Sequence, residues 1–139
     1  MEDGIRAVMK LLNPAEMELL VRSLIPFLSP SVNSYLKHYK GITYKTREAR
    51  QWQEAAALIL RRDLGRKKPP YEGKVYVEVL VFSKKIKTFD ADNRLKTAQD
   101  AIQMAGVIKD DRQVMRSAIE KIYSDDEERT IIEVWKYKE

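Results

Sequence analysis

The strand-like run at residues 74–83, KVYVEVLVFS, restricts the fold of this 139-residue chain more than any other segment. Valine occupies every second position from 75 to 81 and lines one face of an extended strand. Tyr76, Leu80 and Phe82 make the opposite face mostly apolar. A strand with two apolar faces belongs inside a sheet, where other elements cover both of them. The pattern therefore predicts a central β-strand.

Two helices are predicted from apolar positions at helical spacing, one before and one after this strand. The first follows Thr46, which can cap it, and ends at Gly65. The second begins near Asp92 and ends before Gly106, a residue suited to the position after a helix. The apolar positions are Trp52, Ala55, Ala56, Ile59 and Leu60 in the first helix and Leu95, Ala98, Ile102 and Ala105 in the second.

Further elements are predicted near both ends of the chain. Residues 19–28 favour a short strand that leaves into a loop, and residues 114–123 and 130–137 favour two strands joined by an acidic turn. Residues 1–12 have the spacing of a short helix, which an Asn-Pro pair ends. The order of elements indicates a single α+β domain, with helices packed on a mixed β-sheet.

Composition excludes several classes of protein. The chain has no Cys and a single His, His38, which excludes disulfides and thiolate metal sites and disfavours a Ser-His-Asp triad. A cysteine-free chain fits a reducing compartment, so the cytoplasm is the expected location. No apolar run reaches the roughly 18 residues that a spanning helix needs, so we expect no membrane partner.

The net charge of +5 is unevenly distributed along the chain. Residues 34–70 carry ten basic against three acidic side chains, with several tyrosines and a turn signal at Gly41. Such a segment suggests a polyanionic partner, and binding through phosphates would weaken with salt. A solvated surface rich in Lys and Arg explains the same charge without a partner. The basic residues are Lys37, Lys40, Lys45, Arg47, Arg50, Arg61, Arg62, Arg66, Lys67 and Lys68.

Carboxylates gather at the ends of the predicted elements. Asp90 and Asp92 open the second helix, and Asp110 and Asp111 precede the next strand. If these ends converge, their hard oxygen ligands suit Mg²⁺ or Mn²⁺. Lys96, four residues after Asp92, lies on the same helical face and can stabilise charge on a phosphate. Helix capping by Asp92 and an ordinary Asp–Lys surface pair are the alternatives.

The same residues form a pattern that resembles the RusA family of Holliday junction resolvases. Residues 90–96 read DADNRLK, and residues 105–114 read AGVIKDDRQV. Upstream, the Ser-Pro-Ser at residues 29–31, Asn33 and Tyr35 are similar to the family's Pro-rich loop, which leads to an Asn and aromatic residues. The resemblance therefore rests on two separate segments of the chain.

The similarity divides the chain into two parts. Residues 1–18 form an N-terminal helical extension, and residues 19–139 form a RusA-like endonuclease domain. Phe89 departs from the basic residue that some members have before the first Asp. We expect nearby lysines, which follow the central strand, to take over its contacts with DNA.

The resemblance implies a symmetric homodimer that uses Mg²⁺, with Mn²⁺ as a substitute, and cuts four-way DNA junctions by paired symmetric nicks in recombination and repair. The family's catalytic, metal-binding aspartates fall on Asp90, Asp92 and Asp111, and its catalytic lysine falls on Lys96. The expected nucleic-acid contacts are Asn33, Lys37, Lys40, Lys45, Arg47, Lys84, Lys85 and Lys87. The alternatives are a branched-DNA-binding protein without catalysis, whose aspartates are helix caps, and a metal nuclease that acts on other DNA structures such as flaps.

Overall fold

The computed structural model describes residues 17–28, 36–45, 47–85 and 91–137, and the helix expected at residues 1–12 lies outside them. The strands of the described part are Met17–Ile25 (β1), Leu36–Tyr39 (β2), Ile42–Lys45 (β3), Val75–Ser83 (β4), Val114–Tyr123 (β5) and Arg129–Tyr137 (β6). Its α-helices are Arg47–Leu64 (α1) and Ala91–Met104 (α2), and a 3-10 helix, Asp111–Gln113, directly precedes β5.

Strand β4 lies inside a four-stranded sheet whose order is β1, β6, β4, β5. It pairs antiparallel with β6 and parallel with β5, while β6 pairs antiparallel with β1. The valines of β4 are at most 1% exposed and pack in one core with apolar side chains of both helices. The predictions of a central strand, a mixed sheet and a single α+β domain are therefore confirmed.

Helix α2 carries the chain from the end of β4 to the start of its parallel neighbour β5. Parallel neighbours need such a crossover because the chain must return to the same edge of the sheet. The return is fixed by the backbone N–H of Tyr71, which donates to the carbonyl oxygen of Val107 at 2.9 Å. Because Tyr71 precedes β4 and Val107 follows α2, the helix ends near the start of β4.

Helix α1 lies alongside α2 and points in the same direction. The side-chain amide of Gln53, in the first half of α1, donates to the carbonyl oxygen of Thr97, in the first half of α2, at 3.4 Å. Farther along, the Nε of Arg61 donates to the carbonyl oxygen of Ala105, just beyond α2, at 3.0 Å. Both helices therefore begin at the edge of the sheet where β4 ends.

Strands β2 and β3 form a hairpin that apolar patterning does not reveal, because each strand has only 4 residues. Its turn consists of Lys40 and Gly41, with φ angles of 50° and 79°. Two positive φ angles suit the twist of hairpin strands, and Gly adopts one without strain. The turn expected at Gly41 is therefore present. It joins two strands, β2 and β3, that the sequence pattern does not predict.

The other strands agree with the sequence predictions. β5 covers the expected residues 114–123, and β6 begins one residue before the expected 130–137. β1 starts inside the segment that was expected as an N-terminal extension, since Met17 and Glu18 pair with β6. Within the described residues, no helix has the length and apolar content that crossing a membrane requires.

Candidate active site

The connection from α2 to β5 is held in place by the side chain of Gln113. Its Oε1 accepts hydrogen bonds from the backbone N–H groups of Lys109 and Asp110, at 2.8 and 2.9 Å. Its Nε2 donates to the carbonyl oxygens of Tyr71 and Gly73, at 2.7 and 2.8 Å. Gln113 thus holds the segment that carries Asp110 and Asp111 against the chain that enters β4. The sequence analysis does not assign this role to it.

The two neighbouring aspartates of this segment differ in their surroundings. Asp110 caps the 3-10 helix, since its carboxylate accepts from the backbone N–H and the guanidinium of Arg112, at 2.8 and 2.9 Å. The hydrogen bond from the Arg112 side chain holds the pKa of Asp110 well below its usual range. Asp111 follows as the first residue of the 3-10 helix, with its side chain exposed. Asp110 is therefore engaged in local structure, while Asp111 faces solvent.

Asp92 and Lys96 lie on exposed positions in the first two turns of α2. The helix begins at Ala91, so Asp92 lies inside its first turn rather than at the capping position before it. Asp90, the residue before the helix, lies outside the described residues.

A buried cation, Arg94, lies in the first turn of α2. Arg94 is only 8% exposed, and this burial lowers its pKa, while attraction to Glu128 acts in the opposite direction. Glu128 in turn accepts a long hydrogen bond, 3.5 Å, from the hydroxyl of Ser83, the last residue of β4. Asp92 and Lys96 belong to the same first two turns of α2, the helix that follows the end of β4 along the chain.

Within one chain, Asp92 and Asp111 lie at opposite ends of α2. The helix has 14 residues, which corresponds to a length of about 20 Å. Asp92 lies in its first turn, whereas Asp111 lies beyond its last turn and is tied through Gln113 to the start of β4. The two ends therefore do not converge in one chain. Among the described residues, which do not include Asp90, no group of three or more acidic or His residues could hold a metal ion.

Several of the expected DNA contacts lie at the same edge as Asp92. Lys84 and Lys85 directly follow β4, and Arg47 begins α1; all are exposed. Lys40 is exposed in the hairpin turn before α1. Of the remaining candidates, Asn33 and Lys87 lie outside the described residues, and Lys37 and Lys45 belong to β2 and β3, whose side chains are not described.

Arg61 does not belong to this basic surface, although its sequence position suggests it. Its guanidinium donates to backbone carbonyl oxygens just beyond the C-terminal ends of α1 and α2. The acceptors are Ala105 at 3.0 Å, Gly106 at 3.2 Å, Gly65 at 3.3 Å, Arg66 at 3.4 Å and Lys68 at 2.7 Å. Its charge is therefore used to hold the ends of α1 and α2 together, and the assignment of Arg61 to a phosphate-binding surface is wrong.

A cleft of about 700 Å³ opens beside Asp110 at the start of β4. The ring of Tyr71 forms one wall and lies so close to Gly73 that a Cβ there would be 2.5 Å from the Tyr71 hydroxyl. Lys136 lies over this ring, with its Nζ 5.2 Å from the ring centre. This end of the domain therefore combines an aromatic surface with cationic side chains and the exposed Asp111.

Comparison with known proteins shows the family of this chain. The family model described as "Endodeoxyribonuclease RusA" matches residues 26–135, which include both α-helices, the 3-10 helix, β4, β5 and most of β6, but not β1. A relative named "Crossover junction endodeoxyribonuclease RusA", from Aquifex aeolicus (strain VF5), is 27% identical over 120 residues, which cover 86% of this chain and 94% of the relative. The chain therefore belongs to the RusA family of endodeoxyribonucleases, which are hydrolases acting on DNA.

Proposed function

We propose that this chain is a divalent-metal-dependent endonuclease that resolves four-way DNA junctions as a homodimer, with each active site built from two chains. One chain contributes Asp90, Asp92 and Lys96, and Asp111 comes from its partner. The observation that carries the proposal is the separation of Asp92 from Asp111 by the length of α2 within one chain. A single site that contains both aspartates needs a second copy.

A two-fold axis supplies the missing half of each site. When two copies are related by such an axis, every contact between them occurs twice. If the Asp111 end of one chain meets the Asp92 end of its partner, the reciprocal pair forms a second, identical site. Two equivalent sites are what paired symmetric nicks in a two-fold symmetric junction require.

The residues available at the combined site suit a hard divalent cation. Asp92 and Asp111 both have exposed carboxylates, and neither Cys nor a His cluster competes for a softer metal. When bound, Mg²⁺ or Mn²⁺ would polarise the scissile phosphate and lower the pKa of a water molecule. Lys96, one helical turn after Asp92, is placed to offset negative charge that develops on the phosphate.

The charge at the Asp92 edge supports a DNA substrate. Lys84, Lys85 and Arg47 bring exposed cations to that edge, where they can contact phosphates. Phosphate contacts position a protein without reading sequence, which fits recognition of a junction by its shape. We place this activity in the cytoplasm, in DNA recombination and repair.

Two variants that break opposite halves of the site test this proposal. Asp92→Asn and Asp111→Asn are each expected to lose cleavage, while each keeps junction binding. Co-expression of the two produces mixed dimers in which one site has a complete set of residues and the other lacks both aspartates. Cleavage should therefore return. On a plasmid with an extruded cruciform, these mixed dimers should yield nicked circles, whereas wild-type protein with Mg²⁺ yields linear plasmid.

The matched control combines two variants that break the same half of the site. Asp92→Asn co-expressed with Lys96→Ala leaves both sites of the mixed dimer defective, so cleavage should stay absent. Failure of the first mixture to recover any cleavage would contradict a site shared between chains. A wild-type protein that binds junctions and never cuts them with Mg²⁺ or Mn²⁺ would favour a binding protein, and preferred cutting of a flap in a competition assay would favour a flap nuclease.

A further inference from the structure

The homodimer invoked above needs a surface through which two copies meet. We propose that this surface is the outer edge of β5, which pairs antiparallel with β5 of a second copy around a two-fold axis at Ala118. The inference rests on the proposed function, because it names the partner and the contact that complete each active site.

The outer edge of β5 is long and open. β5 has 10 residues and lies at one end of the sheet, with β4 as its neighbour among the described strands. Most of its side chains are exposed, and they include Met115 at 47% and Tyr123 at 62%. A strand of this length with an unpaired row of N–H and C=O groups is a template for pairing with another strand. The edge therefore has the form of an interface that a second copy can cover.

Pairing at this edge brings the two halves of the active site together. The first residue of β5 directly follows the 3-10 helix that begins with Asp111. The other end of β5 lies beside the end of β4, since the backbone N–H of Ser124 donates to the carbonyl oxygen of Ser83 at 3.1 Å. Asp92 lies at that edge. An antiparallel partner therefore places its Asp92 edge next to Asp111, and the two sites lie about 30 Å apart, roughly the length of β5.

The charges of β5 select one register. Arg116 and Glu120 lie two residues on either side of Ala118 and share its face of the strand. A two-fold axis through Ala118 therefore places Arg116 opposite Glu120 of the partner subunit, and symmetry forms this ion pair twice. Moving the axis one residue to Ile119 would place Glu120 opposite Ala118 and form neither pair. The small side chain of Ala118 also leaves room on the axis, where two identical residues meet.

A disulfide at the axis tests this contact. The chain has no Cys, so Ala118→Cys introduces a single thiol. Directly opposed residues of an antiparallel pair have Cα atoms about 4.5–5.5 Å apart, which lies within the range of a disulfide. Mild oxidation should therefore convert most of the protein into a covalent dimer, while Leu58→Cys, at a 73% exposed position on α1, should stay mostly uncrosslinked. Equal crosslinking of the two variants would overturn the proposal.

Charge reversal tests the register independently of any crosslink. Arg116→Glu and Glu120→Arg each place like charges opposite one another at two symmetric positions. Each should raise the dissociation constant of the dimer about tenfold or more, as measured by analytical ultracentrifugation. The double variant restores opposite charges and should return the constant to within about threefold of wild type. Single reversals without effect, or a double variant as weak as the singles, would contradict the pairing through Ala118.

The two proposals fail in different ways. If mixed dimers recover cleavage but the Ala118→Cys protein does not crosslink selectively, the shared site stands and the interface lies elsewhere. If the crosslink and the charge swap succeed but no cleavage of junctions is found, the β5 interface stands and the proposed function is wrong.

Discussion

The side chain of Gln113 donates a hydrogen bond to the carbonyl oxygen of Tyr71 at 2.7 Å, which joins the segment carrying Asp111 to the chain that enters β4. Three further hydrogen bonds of the same side chain complete a clamp over this connection. Asp111 is thus positioned by a neutral amide two residues away in the sequence. A rigid support of this kind keeps an exposed carboxylate in one place before substrate binds.

Gln113→Ala should lower the rate of cleavage more than the affinity for DNA. Loss of the clamp lets the Asp111 segment move, so we expect kcat to fall about tenfold or more, as for loss of other groups that orient metal ligands. KM and the Kd for the junction should change by less than about threefold. Since the four lost hydrogen bonds are worth roughly 1 kcal/mol each, we also expect stability to fall by about 4 kcal/mol.

Gln113→Glu separates positioning from folding. This variant keeps both acceptors for Lys109 and Asp110 but loses the donors to Tyr71 and Gly73. Single-turnover cleavage under conditions where urea titration shows full folding is the decisive measurement. Full activity of both variants in the folded state would show that the clamp has no part in positioning Asp111.

Asp110 and Asp111 should respond differently to the same substitution. Asp111→Asn removes a proposed metal ligand and should lower junction cleavage at least about a thousandfold, in line with the loss of a group that acts in the transition state. Asp110→Asn keeps an oxygen that accepts from the Arg112 backbone, so cleavage should fall less than about tenfold. Cleavage rates at saturating Mg²⁺ compare the two variants. Equal losses would mean that Asp110 also acts on the metal or substrate.

A substitution at Arg61 should affect stability and not DNA binding, whereas a substitution at Lys85 should do the opposite. Arg61→Lys removes most of the hydrogen bonds that the guanidinium donates to backbone carbonyl oxygens at the ends of α1 and α2. It should therefore lower stability by about 2 kcal/mol. It should leave the salt dependence of junction binding unchanged. Lys85→Ala should have little effect on stability but should reduce the slope of log K against log salt by roughly one. Binding isotherms at several salt concentrations, with urea unfolding of both variants, check this expectation.

The sequence predicts the parts of the fold that have a long, regular apolar pattern. β4 has valines at every second position from 75 to 81, and α2 has an apolar stripe followed by Gly106, so both are predictable. The hairpin of β2 and β3 is not, because 4 residues are too few to establish an alternation. An alternating pattern can be recognised only over a longer segment. The prediction of a short hairpin therefore depends on the residues of its turn.

The candidate site was predictable in its residue types but not in its geometry. The spacing of Asp92, Lys96 and Asp111 is visible in the sequence, and so is the helix between them. Whether Asp92 and Asp111 meet depends on how the crossover returns to the sheet, which the contacts of Tyr71 with Val107 and Gln113 fix. The role of Gln113 was equally hidden, because its four hydrogen-bond partners come from two segments that are distant along the chain.

Glu78 should make the stability of the domain depend on pH. Burial raises the pKa of Glu78 above its ordinary value of 4.5, and repulsion from Glu133 and Glu120 raises it further. Glu133 is its direct partner across β4 and β6. A raised pKa means that the folded protein binds this proton more tightly than the unfolded chain does. The resulting stabilisation is present below about pH 4.5 and is lost as the pH rises through the folded-state pKa.

Glu78→Gln should therefore stabilise the protein at neutral pH and not in acid. At pH 7 the substitution removes a carboxylate that faces a like charge, so we expect a gain of roughly 0.5 kcal/mol. The gain should disappear near pH 4, where wild-type Glu78 is itself protonated. Urea unfolding at both pH values measures the difference, and Glu54→Gln, at an exposed position on α1, controls for the general loss of a negative charge. A gain of the same size at both pH values would show that the carboxylate charge of Glu78 is not its cause.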